Sequence, residues 1–332
     1  MKQRVLLVKT SSLGDLIHLL PALSDARQQR PELRFHWLLE ESFAEVASWH
    51  PAVERVIPVA LRRWRRHPWS ALRSGELGQF WREVRAEEYH AVIDAQGLIK
   101  SACMARLARG RRIGLDWQSA REPWASWLYQ KGLPIATDQH AVVRLRQLLA
   151  AALEYPLPRS EVDYGLAQRF PRQRGEAWIF IQGTTWPSKQ WPEQHWRELA
   201  RLVAPHGPVL LPWGTVQEEE RARRIAQVAP DRLRVAPKGN LTQLALLLAS
   251  ARGVVAVDSG PAHLAAALGV PVVGLYGPTN PQRTGTMAPE QQWLQGACPE
   301  MPCLKKICPL GEPPPCYAHL DPERVWSLLQ RL

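Results

Sequence analysis

Asp15 closes the stretch Lys9-Thr10-Ser11-Ser12-Leu13-Gly14-Asp15, between a short apolar run and a helical pattern. A carboxylate at such a strand-to-helix turn is placed to take a proton from a hydroxyl nucleophile. It is equally placed to cap the helix and complement its dipole. Gly14 beside it allows another molecule to approach closely. The turn lacks the G-x-G-x-x-G pattern of dinucleotide-binding domains, which argues against a nicotinamide dehydrogenase.

The second half of the chain carries a different chemistry. Gly183-Thr184-Thr185-Trp186-Pro187-Ser188-Lys189 follows an apolar run and precedes Pro192, which suits the first turn of a helix. Its backbone N–H groups, hydroxyls and Lys make a cradle for a diphosphate; a plain loop with a solvated Lys has the same composition. Asp258-Ser259-Gly260-Pro261-Ala262-His263 also joins an apolar run to a helix. Ser259 and Gly260 offer N–H groups and a positive dipole end to an anion, and Asp258 is an acceptor for sugar hydroxyls. His263 lies in the first helical turn, where a core imidazole and a ligand fit equally. Glu218 opens a helix with Glu219 and Glu220, either as a ribose ligand or as a complement to the dipole.

Arg62-Arg63-Trp64-Arg65-Arg66-His67-Pro68-Trp69 is dense in cations and aromatics. Such a run holds a phosphorylated or carboxylated substrate, or rests on an anionic membrane with Trp64 and Trp69 at the headgroups. No helix-turn-helix, zinc-finger or RNA-recognition signature accompanies it, so a nucleic-acid-binding module ranks lower. Cys298, Cys303, Cys308 and Cys316 lack a C-x-x-C pair and read as reduced thiols in a Pro-rich loop, without a metal.

These turns need a scaffold, and the chain supplies one twice. Residues 4–8, 34–39, 55–59 and 91–94 read as buried strands. Helical stretches lie near 14–29, 42–49, 77–88, 99–108 and 141–153. After a proline-punctuated linker, 156–172, strands recur at 178–182, 209–211, 233–235, 254–257 and 272–275. Helices at 193–203, 218–228, 241–250 and 262–268 alternate with them, and a last one at 322–332 follows a loop over 277–320. Continuous apolar strands alternating with helices imply parallel sheets covered on both faces. The expected fold is α/β, with two doubly wound Rossmann-like domains, 1–155 and 173–320, facing across a cleft.

A length of 332 residues suits two such domains, and 45% hydrophobic content is enough for both. The net charge is +11, carried by 34 Arg and only 8 Lys. Arg favours bidentate contacts with carboxylates and phosphates. Residues 1–155 hold 23 basic and 16 acidic side chains, so an anionic partner would meet mainly the first half. The opening apolar run is too short for a signal-peptide core. The most apolar segment, 254–276, is broken by Asp258, Pro261 and Pro271. The expected location is therefore the cytoplasm.

Taken together, these segments resemble the ADP-heptose:lipopolysaccharide heptosyltransferase family. The likeness rests on Val5-Leu6-Leu7-Val8-Lys9-Thr10-Ser11-Ser12-Leu13-Gly14-Asp15 and on Asp258-Ser259-Gly260-Pro261-Ala262-His263, continuing to Tyr276-Gly277-Pro278-Thr279. Asp94-Ala95-Gln96-Gly97-Leu98-Ile99-Lys100-Ser101 and Gly114-Leu115-Asp116-Trp117-Gln118-Ser119-Ala120-Arg121-Glu122-Pro123 are similar to the branch that acts first. The resemblance covers nearly the whole chain; the Cys-rich loop departs from that branch.

The resemblance implies a GT-B fold, with the C-terminal helix 321–332 returning to the first domain. It implies inverting transfer of L-glycero-D-manno-heptose from ADP-heptose to the Kdo (3-deoxy-octulosonic acid) region of Kdo2-lipid A, with no cofactor. Asp15 would be the base. Thr184, Thr185 and Lys189 would hold the diphosphate, Glu218 the ribose and Asp258 the heptose, with Ser259, Gly260 and His263 completing the donor pocket. Lys9, Ser12, Gly14, Arg62, Arg63, Gln96, Arg121, His140 and Arg144 would serve the acceptor. The enzyme would work at the cytoplasmic face of the inner membrane, with no nucleic acid. The alternatives are a later-acting heptosyltransferase, a sugar-nucleotide epimerase and a basic nucleic-acid-binding module.

Overall fold

The computed structural model describes residues 3–332; Met1 and Lys2 of the opening segment lie outside the described residues. The chain divides into two compact units, the first ending at Gly165 and the second running Leu166–Leu332. The division falls inside the proline-punctuated stretch.

The first unit is built on β1 (Gln3–Val8), β2 (Leu33–Glu40), β3 (Val53–Val59), β4 (Glu88–Asp94), β5 (Arg109–Leu115) and β6 (Lys131–Leu133). All pair in parallel, in the order β3-β2-β1-β4-β5-β6. Val5, Leu6, Leu7 and Val8 are fully buried, as a central strand covered on both faces requires. The strand order reverses between β1 and β4, and such a reversal opens a crevice at the carboxyl ends of the strands. Val8 pairs with Asp94 there, so the turns after β1 and β4 lie side by side.

Several elements differ in extent from the periodicity. The single helix expected over 14–29 is two, Leu13–Ile17 and Leu20–Gln29, with Pro21 in the first turn of the second. Pro21 has no N–H to continue an earlier helix. The helix expected over 77–88 ends at Arg85, because Glu88 already belongs to β4. β5, with sequence RGRRIGL, is buried only over its last three residues, which hid it among polar positions.

The second unit repeats the plan with β7 (Trp178–Ile181), β8 (Val209–Leu211), β9 (Leu233–Val235), β10 (Gly253–Val257), β11 (Val272–Tyr276) and β12 (Gln291–Gln295). Its order is β12-β11-β10-β7-β8-β9, again fully parallel, with the reversal between β7 and β10. β12 and a short helix, Pro281–Thr284, occupy part of the stretch expected as loop.

The C-terminal helix corrects an expectation. Pro322–Leu329 does not join the first unit; Val325 and Leu329 are buried in the second core with Trp196, Leu199 and Val255. Trp326 packs its ring edge-on against Trp178, with centroids 5.8 Å apart. An amphipathic helix settles on the nearest unfilled apolar surface, and here helix Glu193–Val203 with β10 and β11 provides it.

Candidate active site

In the first unit the turn after β1 is tied to the turn after β4. Gln96 Oε1 accepts from the Thr10 N–H at 2.7 Å and from Thr10 Oγ1 at 2.8 Å. Gln96 Nε2 returns a bond to Ser11 O at 3.2 Å. Lys9 is buried and donates to Ala95 O at 2.9 Å. Burial holds its ammonium below the usual lysine range, against the pull of nearby Asp15 and Asp94; Arg121 and Arg144 lower it further.

Asp15 is half-buried at the third position of helix Leu13–Ile17. Its Oδ2 accepts from the Ser12 N–H at 2.8 Å and from Ser12 Oγ at 2.9 Å. It therefore caps the helix, and its charge lies close enough to Lys9 to raise that ammonium's pKa. Of the two roles offered by the sequence, these contacts are those of the cap.

Asp94 anchors the second turn from within the core. It accepts from the Gln96 and Gly97 N–H groups at 2.8 and 3.2 Å, from Ser101 Oγ at 2.7 Å and from Tyr129 OH at 2.6 Å. Burial raises its pKa, and these four bonds only partly offset that. Gly97 adopts φ +69°, a conformation that favours glycine, and its carbonyl receives the Glu122 N–H at 3.0 Å. The segment bearing Arg121 is thereby brought to the β4 turn. Arg144 braces the same segment, donating to Ser119 O at 2.8 Å and Ala136 O at 2.9 Å.

The remaining acceptor candidates are more dispersed. His140 is buried, caps the helix Ala141–Leu153 and packs edge-on against His18. Arg62 and Arg63 lie on the exposed helix Leu61–Arg66, which follows β3. The Arg62 N–H reaches Glu40 Oε1 at 3.1 Å, and Glu40 in turn bonds to Thr10 O through its own N–H at 3.1 Å. Arg63 is held between Glu41 and Glu76 at 3.1 and 2.8 Å, so its charge is already matched. Trp64, expected at headgroup level, is half-buried; its indole N–H bonds to Glu76 at 2.8 Å and its ring packs on Phe80.

In the second unit the donor candidates gather around Asp258. Lys189 Nζ lies 2.7 Å from Asp258 Oδ2, and His263 Nε2 lies 3.7 Å from Oδ1. Thr279 Oγ1 donates to Oδ2 at 2.7 Å, and Thr184 Oγ1 donates to the Asp258 carbonyl at 3.2 Å. Burial pushes the Asp258 pKa up, but His263 and Lys189 outweigh it and hold the carboxyl well below the usual range. Lys189 also sits 4.6 Å from the Trp186 ring centroid, a cation–π contact.

Around this pair lie unfilled donors and acceptors. Ser259 Oγ is buried without a hydrogen-bond partner in the protein, at the start of helix Gly260–Ala267. A buried orphan hydroxyl beside a helix N-terminus is suited to an anionic oxygen. Thr185 is exposed on the Lys189 loop. Glu218 caps helix Val216–Ala226 through Thr215 and accepts from the Gly214 N–H at 2.7 Å. A Cβ on Gly183 would come within 2.4 Å of the Glu218 carboxylate, so glycine alone admits that side chain beside the 183–189 loop. Thr279 and Trp186, which complete the pair's surroundings, were both inside recognised motifs yet had no assigned role.

Solved structures match along nearly the whole chain. Escherichia coli heptosyltransferase WaaC with ADP superposes with a TM-score of 0.89 at 44% identity, covering 99% of each chain. A second structure, E. coli ADP-heptose lps heptosyltransferase II, shares the fold at 20% identity with a TM-score of 0.72, again covering 99% of each chain. Two parallel six-stranded α/β units of this kind define a GT-B glycosyltransferase. Lipopolysaccharide heptosyltransferase 1 of Pseudomonas aeruginosa is 48% identical over 99% of this chain and 98% of its own length. The protein of the same name from E. coli K12 is 51% identical over 85% of this chain and 90% of its own. Residues 77–313 match glycosyltransferase family 9 (heptosyltransferase), and the chain belongs to that family.

Proposed function

We propose that this enzyme transfers L-glycero-D-manno-heptose from ADP-heptose to the Kdo region of Kdo2-lipid A, with inversion. The observation that carries the reading is near-full-length similarity to proteins named lipopolysaccharide heptosyltransferase 1. A relative solved with ADP-2-deoxy-2-fluoro heptose, 44% identical over 99% of this chain, supports the donor.

The site chemistry fits a single displacement. The acceptor hydroxyl attacks the anomeric carbon, the bond to the diphosphate oxygen breaks, and Asp15 takes the hydroxyl proton. ADP departs as an anion, so it needs positive charge rather than a second acid. Lys189 and the N–H groups opening helix Gly260–Ala267 supply that charge, with Thr184 and Thr185 as further donors. Glu218 binds the ribose, and Asp258 with His263 binds the heptose hydroxyls. Lys9, Ser12, Gly14 and Gln96 shape the acceptor side, where Arg62, Arg121 and Arg144 provide cations for Kdo carboxylates.

ADP release by the purified protein, with ADP-heptose and either Kdo2-lipid A or its heptosylated form, tests this reading. Turnover with Kdo2-lipid A alone is expected. Turnover only with the heptosylated acceptor would assign a later transfer, and donor consumption without acceptor would assign an epimerase.

The working location we propose is the cytoplasmic face of the inner membrane. Among the described residues no helix is long and apolar enough to cross a bilayer. Trp117, Trp124 and Trp127 pack ring against ring with centroids 4.5–5.7 Å apart, yet remain 44%, 55% and 70% exposed. Trp69 is 75% exposed beside the Arg62–Arg66 run. Clustered surface tryptophans among arginines suit an anionic headgroup layer. Sedimentation with phosphatidylglycerol vesicles should carry the protein down, and equal recovery with neutral vesicles would remove the charge argument.

A further inference from the structure

The Tyr129 hydroxyl donates to Asp94 Oδ2 at 2.6 Å, and no motif gives Tyr129 a role. Both flanks of Tyr129 are tied to β5. Arg112 Nε donates to Leu128 O at 3.2 Å, and the Gln130 N–H donates to Arg112 O at 2.9 Å. A Cβ on Gly114 would collide with the Tyr129 ring, so glycine at that β5 position lets the ring lie against the strand. Asp94 is fully buried, and a buried carboxylate is costly unless donors are built around it. Tyr129 and Ser101 meet its Oδ2, while the Gln96 and Gly97 N–H groups meet its Oδ1. The second pair fixes the backbone from which the Gln96 side chain departs.

That side chain is directed at the turn after β1. Gln96 Oε1 carries two lone pairs, and both meet Thr10, one at its N–H and one at Oγ1. Gln96 Nε2 donates to Ser11 O at 3.2 Å, and among the described residues no second hydrogen bond reaches Ser11. The same peptide unit presents its other edge, the Ser12 N–H, to Asp15 Oδ2 at 2.8 Å. A peptide unit is planar and rigid, so holding its carbonyl sets the direction of its N–H. Contacts therefore run unbroken from Tyr129 to the Asp15 carboxylate.

We propose that Tyr129, Asp94 and Gln96 are positioning residues for Asp15, acting through the Ser11–Ser12 peptide rather than on substrate. This role rests on Asp15 as the base of the proposed reaction. A base must meet the attacking hydroxyl within hydrogen-bond reach, and a misplacement of about 1 Å costs on the order of 10²-fold in rate. Gln96 thereby shapes the acceptor side without serving as an acceptor ligand.

Steady-state kinetics of the full chain with ADP-heptose and Kdo2-lipid A tests this. Asp94 is too deeply buried for a clean substitution, so the residues on either side of it are changed. Gln96→Ala should lower kcat on the order of 10²-fold. Tyr129→Phe keeps the ring and should lower kcat up to about tenfold, the upper size of one lost hydrogen bond. The KM of each substrate should stay within about twofold in both variants. In an Asp15→Asn background neither substitution should lower kcat by more than about threefold, because positioning matters only while the base is present. Hydrogen exchange gives a readout without turnover: around Ser12, amides should exchange faster in Gln96→Ala than in wild type. A raised acceptor KM with unchanged kcat would make Gln96 an acceptor ligand and overturn the positioning role. Losses that simply multiply with that of Asp15→Asn also overturn it, as does unchanged exchange around Ser12. Near-wild-type turnover in Asp15→Asn alone removes the base itself, and the positioning role falls with it. The single Asp15 variant thus separates a failed base from failed positioning.

Discussion

Lys189 and Asp258 are bound to each other, Nζ to Oδ2 at 2.7 Å, across the point where the second sheet reverses its strand order. Their motifs suggest two ligands for two parts of the donor, a diphosphate cation and a sugar acceptor. The structure makes them one unit. An ammonium has three donors, so the pair with Asp258 leaves capacity for a phosphate oxygen. In the proposed donor site, this pairing would order the ammonium before the donor arrives and spare the cost of ordering a long flexible side chain.

Lys189→Ala should weaken ADP binding by about 1.5–3 kcal/mol, the size of a charge-assisted contact. Asp258→Asn should also weaken it, by releasing Lys189. Because the two residues touch, the double variant should lose less than the sum. Calorimetry with ADP measures all three; strict additivity would mean that Lys189 binds ADP without help from Asp258.

The same pair sets a pH dependence of stability. Asp258 is held below its ordinary pKa, so its contribution is fully present above the unfolded carboxylate value, about 3.9. It is lost only as pH falls through the lower folded value. Denaturant midpoints of wild type and Asp258→Asn should therefore differ by a constant amount from pH 7 to about 5 and converge in stronger acid. A difference that vanished near neutrality would show that the carboxylate is not ion-paired.

Asp15 caps its helix and is the base in the proposed reaction, and two variants separate these roles. Asp15→Ala should lose turnover by roughly 10²–10⁴-fold and stability by about 0.5–2 kcal/mol, the usual value of a cap. Asp15→Asn keeps an acceptor for Ser12 and should lose the same turnover with most of the stability retained. Neither should change ADP affinity much. Near-wild-type turnover in a folded Asn variant would remove Asp15 as the base.

The two arginines after β3 should not behave alike. Arg63 is matched by Glu41 and Glu76, whereas the Arg62 guanidinium rests over the Phe43 ring at 5.5 Å. Arg62→Ala should raise the acceptor KM more than Arg63→Ala, and raised salt should reproduce part of the effect. The ADP-heptose KM should stay nearly constant for both. A larger effect from Arg63, or a change confined to the donor, would reverse the assignment.

The local structure was legible in the sequence where it depends on neighbours in the chain. The strands at 209–211 and 233–235 and the helices at 141–153 and 193–203 coincide with the structure, because apolar periodicity and capping are short-range properties. The turns bearing Asp15, Lys189 and Asp258 were recognisable for the same reason. What tertiary structure decided was partnership between distant segments. Lys189 meets Asp258, Gln96 ties Thr10, and Glu41 with Glu76 claims Arg63, each across more than a dozen residues of chain. The C-terminal helix chose the second core over the first because apolar surface has no sequence address, only a nearest unfilled face. Four cysteines without a paired spacing came to line one cavity for the same reason: loop closure, not local spacing, sets which sulfurs meet.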